Sequence, residues 1–336
     1  MAKTKTTYIV IVLTLVVLAL PGILAAQTSL GGQRVGTSSG SFLRIGIGAR
    51  PAAMAGAYVA ICDGIVACAW NPAGLIHLDR SEVAFNHAAW PADIAYNHMC
   101  YGLPIDMFAG AVALQFGSLS TDLIETTEDH PYGTGRDFSF SDWLVGVTIA
   151  KRFTDKFSGG FAIKYVVEEM GVEIGGPTTS AIALDAGTYY EIGPKNMRLA
   201  VALVNFGPDM TPGGTYVKRT GVVGAEALYQ GFAPATEFKF GIAFEPVVTP
   251  WLESLVDIEM MHPADNEETF RFGGEAMILK TLALRAGYDE GADEMKMSLG
   301  AGVVSRLYSR EAMFDYAATF TDHLGTIHRF SLTLEL

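Results

Sequence analysis

The chain has 336 residues, a formal net charge of −13, an isoelectric point near 4.9 and a mean hydropathy of +0.27 with 18% charged residues. That acidic balance argues against nucleic acid or an anionic membrane surface as a partner. Its three cysteines, Cys62, Cys68 and Cys100, are too few for a disulfide framework, and the length allows either two ordinary domains or one large β-barrel.

Lys3 and Lys5 precede an apolar run over 9–20, which Pro21-Gly22 breaks; Leu24-Ala25-Ala26 then offers a cleavage point before Gln27. This predicts a secretory signal over 1–26, too short for a comfortable transmembrane helix. Its removal takes the formal charge from −13 to −15, and no cysteine follows the cleavage point to carry a lipid anchor. A Gly- and Ser-rich stretch over 27–40 reads as a flexible lead-in.

The next segment, "ARPAAMAGAYVAICDGIVACAWNPAGL" over 49–75, is rich in small residues and nearly uncharged. Pro51 suits a first helical turn, which predicts a short helix over 52–61 ended by Asp63-Gly64. Asn71-Pro72 repeats the device, with Asn as cap and Pro at the first position, ahead of Ala73 and Gly74. Cys62 and Cys68 either pair after export or serve as small buried apolar residues. Two short helical pieces with a kink cannot bury their own apolar surface, so the segment needs a host.

From Ser81 onward the period is two. In the run 237–245, Phe238, Phe240, Ile242 and Phe244 oppose Glu237, Lys239, Gly241, Ala243 and Glu245. In 108–117, Phe108, Gly110, Val112, Leu114 and Phe116 oppose alanines, Gln115 and Gly117. Such alternation marks strands with one apolar face. It predicts strands over 81–90, 96–103, 108–117, 138–152, 157–168, 179–191, 197–206, 236–246, 254–262, 269–279, 282–289, 294–304, 312–321 and 326–336.

A soluble sandwich buries its apolar faces between sheets, whereas a membrane barrel turns them to lipid. Three features favour the barrel. The connections alternate, and the longest (118–137, 169–178 and 207–235) all fall on one side, as outer loops do. The less apolar faces carry both signs of charge: Lys164, Asp185, Arg198, Glu237, Lys239, Asp257, Glu259, Arg271, Glu275, Arg285, Lys296 and Asp315 would point inward, where only water or each other can satisfy them. Aromatics such as Phe138, Phe140, Trp143, Phe153, Phe157, Tyr189, Tyr190 and Phe206 gather near strand ends. The last strand runs to Leu336, as in the closing strand of outer-membrane barrels, although those usually finish on Phe. The expected fold is therefore all-β: a membrane-spanning antiparallel up-and-down barrel of about 14 strands over 81–336, with a short N-terminal helical hatch over 27–80. Such a barrel is too wide for its own side chains to fill, and the 49–75 segment would plug it.

The stretch 41–75 resembles the start of PorV/PorQ-family outer-membrane proteins (the wider FadL-like, UPF0164-like group) through Phe42-Leu43, Arg50, Gly56-Ala57 and Trp70-Asn71-Pro72-Ala73-Gly74; Ala55 stands where that family commonly has Gly. "HAAWPADIAYN" over 87–97 resembles the family's first hairpin. The resemblance implies a fourteen-stranded barrel in a Gram-negative-type outer membrane, a hatch built on Arg50, Gly56, Trp70, Asn71, Pro72, Ala73 and Gly74, and work alongside type IX secretion. Secreted proteins or secretion machinery would then meet the long loops, through residues such as Tyr132, Tyr216, Tyr229 and Phe232. The alternative is a FadL-like channel for hydrophobic small molecules such as long-chain fatty acids, with Met54, Tyr58, Ile61 and Trp70 lining an apolar pocket.

No catalytic set is evident. There is no Gly-x-Ser-x-Gly elbow, and the seven histidines show no metal-ligand spacing. His323 and His328 flank a turn and read as surface or luminal residues, with a shared site as the alternative; "DNEE" over 265–268 reads as a solvated loop, with a Ca²⁺ ligand set as the alternative. Neither an enzyme nor a metal or cofactor is expected; the expected surroundings are outer-membrane lipid, with no nucleic acid.

Overall fold

A computed structural model describes residues 35–126, 129–218, 224–307 and 310–336; the expected signal segment, 1–26, lies outside them. The strands are β1 (Glu82–Ala89), β2 (Ala95–Ile105), β3 (Gly110–Ile124), β4 (Asp137–Arg152), β5 (Phe157–Met170), β6 (Thr178–Glu191), β7 (Arg198–Phe206), the short β8 (Thr215–Val217) and β9 (Glu226–Leu228), then β10 (Glu237–Phe244), β11 (Leu252–Pro263), β12 (Thr269–Ile278), β13 (Leu282–Glu290), β14 (Met297–Leu307), β15 (Arg310–Phe320) and β16 (Thr326–Glu335). Fourteen of them form one closed antiparallel barrel; β8 and β9 pair separately as a hairpin within the long 207–236 connection. Closure joins the first strand to the last, with Val83 opposite Leu334 and Phe85 opposite Leu332. Closure leaves no strand edge unpaired, which a hydrocarbon environment requires.

The period of two divides lipid from lumen. Phe116 and Ile163 are each 49% exposed, Leu284 is 47% and Phe240 41%, whereas their neighbours Gln115, Ala162, Ala283 and Lys239 are buried. A continuous belt of exposed Phe, Leu, Ile and Val is unfavourable in water and suits lipid contact. Aromatic pairs stand near the belt's margins: Trp143 with Tyr165 at 5.8 Å, and Phe153 with Phe157 at 5.9 Å. None of the described helices is long and apolar enough to cross a membrane.

Three boundaries differ from expectation. Phe108 ends a 3₁₀ turn, Asp106–Phe108, and Ala109 turns left-handed at φ 52°, so β3 starts only at Gly110. β3 then continues to Ile124, because β4 pairs with it up to the outer rim, Ile124 opposite Asp137. The inner connection expected over 305–311 shrinks, since β14 and β15 stay paired to Leu307 and Arg310. Between β6 and β7 the register shifts at Asp185, whose carboxylate accepts from the Asn205 backbone N–H at 2.7 Å.

Most of the charges expected to point inward do so: Lys164, Asp185, Glu237, Lys239, Asp257, Glu259, Glu275, Arg285 and Asp315 are buried, and Arg271 is paired inside. Lys296 is a correction. It precedes β14 at the outer rim and pairs with Asp322 at 2.8 Å, because the chain is already in a loop there.

Candidate functional site: the hatch in the lumen

The segment expected to plug the barrel lies inside it. It enters beneath the outer rim, where Ser39 N–H donates to Ala233 O at 2.9 Å and Gly40 N–H donates to Glu168 at 2.8 Å. It winds inward through a 3₁₀ turn (Ser41–Arg44), α1 (Ala49–Ala53), α2 (Ala67–Trp70) and a second 3₁₀ turn (Pro72–His77), then joins β1.

The helix expected over 52–61 is not there; α1 is only Ala49–Ala53. The reason is local: Ala55 and Gly56 take left-handed φ of 54° and 79°, which ends a right-handed helix. Ala55 therefore adopts the backbone that a glycine would hold more easily. The second piece forms as expected: Asn71 Oδ1 accepts from Ala73 N–H at 3.1 Å, and Pro72 occupies the first helical position.

The wall is cut to receive this segment. A Cβ on Gly287 of β13 would strike the Met54–Ala55 backbone, and one on Gly160 of β5 would strike Pro72–Ala73. On Gly187 of β6 it would strike Asn71 Oδ1. Gly241 of β10, Gly273 of β12 and Gly300 of β14 likewise face Val59, Met54 and Ala53. Luminal glycines thus let the hatch backbone lie directly on the strands.

Polar contacts hold it there. Glu259 accepts from the backbone N–H groups of Tyr58 and Val59 at 3.0 and 2.9 Å. Arg50 makes a two-pronged pair with Glu275, at 2.8 and 2.9 Å, and also binds Asp63. Glu275 in turn bonds Arg285 at 2.5 Å, which reaches Asp315 at 2.6 Å. Asn71, fully buried, donates to Val59 O at 3.1 Å and Thr188 O at 3.2 Å, joining two limbs of the hatch to β6. Ile65 N–H donates to Glu82 at 2.9 Å.

The remaining motif residues pack. Trp70 donates its indole N–H to Ile47 O at 2.8 Å, meets Tyr58 edge-on at 5.8 Å, and carries the Lys239 ammonium over its ring at 4.8 Å. A Cβ on Gly74 would come within 2.6 Å of Cys62, so the two halves of the hatch touch there. Met54, Tyr58, Ile61 and Trp70, expected to line an apolar pocket, meet in one buried cluster with Val59 and Ala60. Their surfaces contact one another and the wall; Tyr58 also borders a cavity of about 210 Å³ toward the inner end, with Arg50, Asp63, Glu82 and Asp315. A second inner cavity, about 410 Å³, lies between His77, Asp79, Tyr189 and Arg198. Burial lowers the His77 imidazole below its ordinary value, and its ring stands edge-on to Tyr189 at 4.9 Å.

An apolar cluster lies toward the outer end, beside the buried carboxylates of Asp142 and Glu168. Phe42 is buried among Tyr96, Leu119, Leu144, Val166 and Met210, with Leu43, Ile45, Ile47 and Trp90 alongside. Sequence periodicity gave no sign of this cluster, because its members come from six separate strands and loops.

Of the two readings of Cys62 and Cys68, small buried apolar residues is the one that holds: both are buried, Cys62 Sγ donates to Tyr58 O at 3.0 Å, and the two lie in different apolar clusters. His323 and His328 do not share a site, since the first bonds Glu294 and the second Tyr316. "DNEE" is not simply solvated: Asp265 is buried, binds Arg44 and accepts from Ser38 Oγ at 2.5 Å, while Glu268 bonds His262 at 2.9 Å. Among the described residues no group of three or more His, Cys, Asp or Glu is arranged to hold a metal. Of the loop residues expected to meet a partner, Tyr132 is almost fully exposed, and Tyr216 packs on Tyr229 at 5.3 Å.

No protein-family model matches the chain, and no curated protein matches it. Solved structures do. CymD, described as a monoaromatic hydrocarbon channel, superposes with a TM-score of 0.60 at 13% identity, covering 87% of this chain and 98% of that one. The Ralstonia pickettii toluene transporter TbuX gives 0.58 at 14%, covering 86% and 97%. The Pseudomonas putida toluene transporter TodX gives 0.56 at 12%, also covering 86% and 97%. At these identities the likeness is one of fold, that of the closed antiparallel barrel. The narrower PorV/PorQ likeness rests on the sequence of 41–75 and 87–97.

Proposed function

We propose that the chain is an outer-membrane channel for small hydrophobic molecules, gated by the 41–80 hatch and without enzymatic activity or cofactor. The observation that supports this best is how the hatch is held. It fills the lumen, yet its attachment is a set of discrete polar contacts on glycine-lined strands: Glu259 to two N–H groups, Asn71 to two carbonyls and Arg50 to Glu275. A plug fixed in this way can exchange one set of contacts for another with the barrel unchanged. A hydrophobic molecule arriving from outside would first meet the apolar cluster around Phe42 and Tyr96, where the hatch packs against the wall. Burial there repays about 25 cal/mol for each Å² of apolar surface removed from water. The rest of the hatch, from Ala49 onward, then lies between that cluster and the polar inner cavities. That the fold is shared with three hydrocarbon and toluene channels favours this reading.

The test is uptake. Cells whose outer membrane carries the full chain should take up a radiolabelled monoaromatic hydrocarbon or long-chain fatty acid faster than cells with an empty vector. Equal rates, with heat-modifiable migration showing a folded barrel, refute the proposal. A second reading rests on the Arg50 to Gly74 motif: an accessory to surface export of proteins, engaging partners through the outer loops. It requires a secretion component to co-purify with the chain and surface display to fail on its deletion.

A further inference from the structure

Two of the three cysteines lie in one cluster at the boundary between hatch and wall. Cys68 lies on α2 and Cys100 on the luminal face of β2; both are buried in one apolar cluster with Ile65, Leu75 and Leu78. Both thiols are free and buried in the structure. The frame around them brings the same two positions together independently. Gln115 of β3 stands directly opposite Cys100 in the register, and its Nε2 donates to Cys68 O at 3.2 Å. The other end of that amide lies 3.2 Å from His98 Nε2, so the side chain that faces Cys100 is itself held in place. Cys62 is occupied elsewhere, with its thiol on Tyr58 O and its Cβ against Gly74. Disulfides form only between cysteines whose positions already permit the bond, and they persist in exported proteins.

We propose that Cys68 and Cys100 form a disulfide that fastens the α2 part of the hatch to the barrel wall, made on the exported chain by exchange with an oxidised dithiol carrier. The thiolate of one cysteine attacks the carrier's disulfide, which forms a mixed disulfide and releases one carrier thiolate. The thiolate of the second cysteine attacks the mixed disulfide at the first cysteine's sulfur. The Cys68–Cys100 bond forms and the carrier leaves as a dithiol, having received two electrons and two protons from the pair. Both thiols are buried in the finished barrel, so the exchange takes place as α2 docks on β2, before the lumen is sealed. The link makes the hatch a tethered plug. Residues 67–70 stay on β2 and β3, and rearrangement is confined to the limb over 41–66 and the turn around Asn71.

The test uses the full chain exported to the outer membrane. Free thiols are trapped with N-ethylmaleimide under denaturing conditions without reductant, and the digest is analysed by mass spectrometry. The expected result is a Cys68 peptide linked to a Cys100 peptide, with Cys62 carrying the label; prior reduction should release the pair and label all three. Cys62→Ser should leave the link intact, and Cys100→Ser should leave Cys68 labelled. Label on both Cys68 and Cys100 in the unreduced protein overturns the proposal, as does a Cys62–Cys68 link. The wild-type measurement stands even if a variant fails to fold.

Discussion

Replacing Asn71 by alanine removes three hydrogen bonds from a fully buried position. The Val59 and Thr188 carbonyls, 3.1 and 3.2 Å away, each lose a donor, and Ala73 N–H, at 3.1 Å, loses its cap. An intramolecular hydrogen bond of this kind contributes about 1 kcal/mol net, and a lost N-cap costs about as much. The sum is about 3 kcal/mol against the docked hatch, or about a hundredfold in its equilibrium with a detached state. The barrel strands keep their pairing, so the loss falls on the hatch rather than on the fold. Cys62 reports it: the thiol is buried against Tyr58 O, and burial pushes it well above its ordinary value, so it reacts only when the hatch loosens. Site-resolved alkylation of the detergent-solubilised protein should therefore run about a hundred times faster at Cys62 in Asn71→Ala than in the wild type. Acceleration below about threefold, ~0.6 kcal/mol, with heat-modifiable migration intact, would refute the claim that Asn71 locks the hatch.

Gly160→Val places a side chain where Pro72 and Ala73 now lie, so the inner limb should undock and single-channel conductance in a planar bilayer should rise while the barrel stays folded. Arg50→Met leaves Glu275 with Arg285 as its remaining partner; because that partner survives, the cost should be about 2–3 kcal/mol, below the usual range for a broken buried pair, read as faster hydrogen exchange at Tyr58 and Val59 amides. His77 is held neutral by burial, whereas a detached hatch would titrate it near the ordinary value of about 6.5. The detached state then binds more protons below that pH, so docking is fully supported above about 6.5 and weakens as pH falls. Cys62 protection should decline between about pH 7 and 5 in the wild type, and His77→Phe should flatten that decline.

Glu237 to Phe244 shows what a strand states outright. Phe238 and Phe240 face lipid while Glu237 and Lys239 pair with each other inside, as the alternation requires. The Trp70 to Gly74 motif is legible in the sequence as part of the hatch, and Asn71-Pro72 caps and opens its turn as expected. The outcome at Ala55 was less legible. Nothing in "PAAMAGAY" stops a helix at Ala53, and the left-handed turn at Ala55 and Gly56 follows from the wall: the Met54–Ala55 backbone must lie on Gly287, where a continuing helix would not fit. Asp265 and Arg44 are a similar case, 221 residues apart and joined only because an outer loop folds over the lead-in.

By itself the sequence determined that this chain is a strand-built barrel with a plug, because a period of two and a capped turn are local properties that each short stretch carries. Only the tertiary structure decided where the plug touches: which glycines receive it, that Glu259 and Asn71 hold it, that an apolar cluster forms around Phe42, and that Cys68 shares its cluster with Cys100 rather than Cys62. Those contacts depend on strand order and on the rotation of the hatch within the lumen. Both are set by the closing of the barrel, which no local pattern encodes.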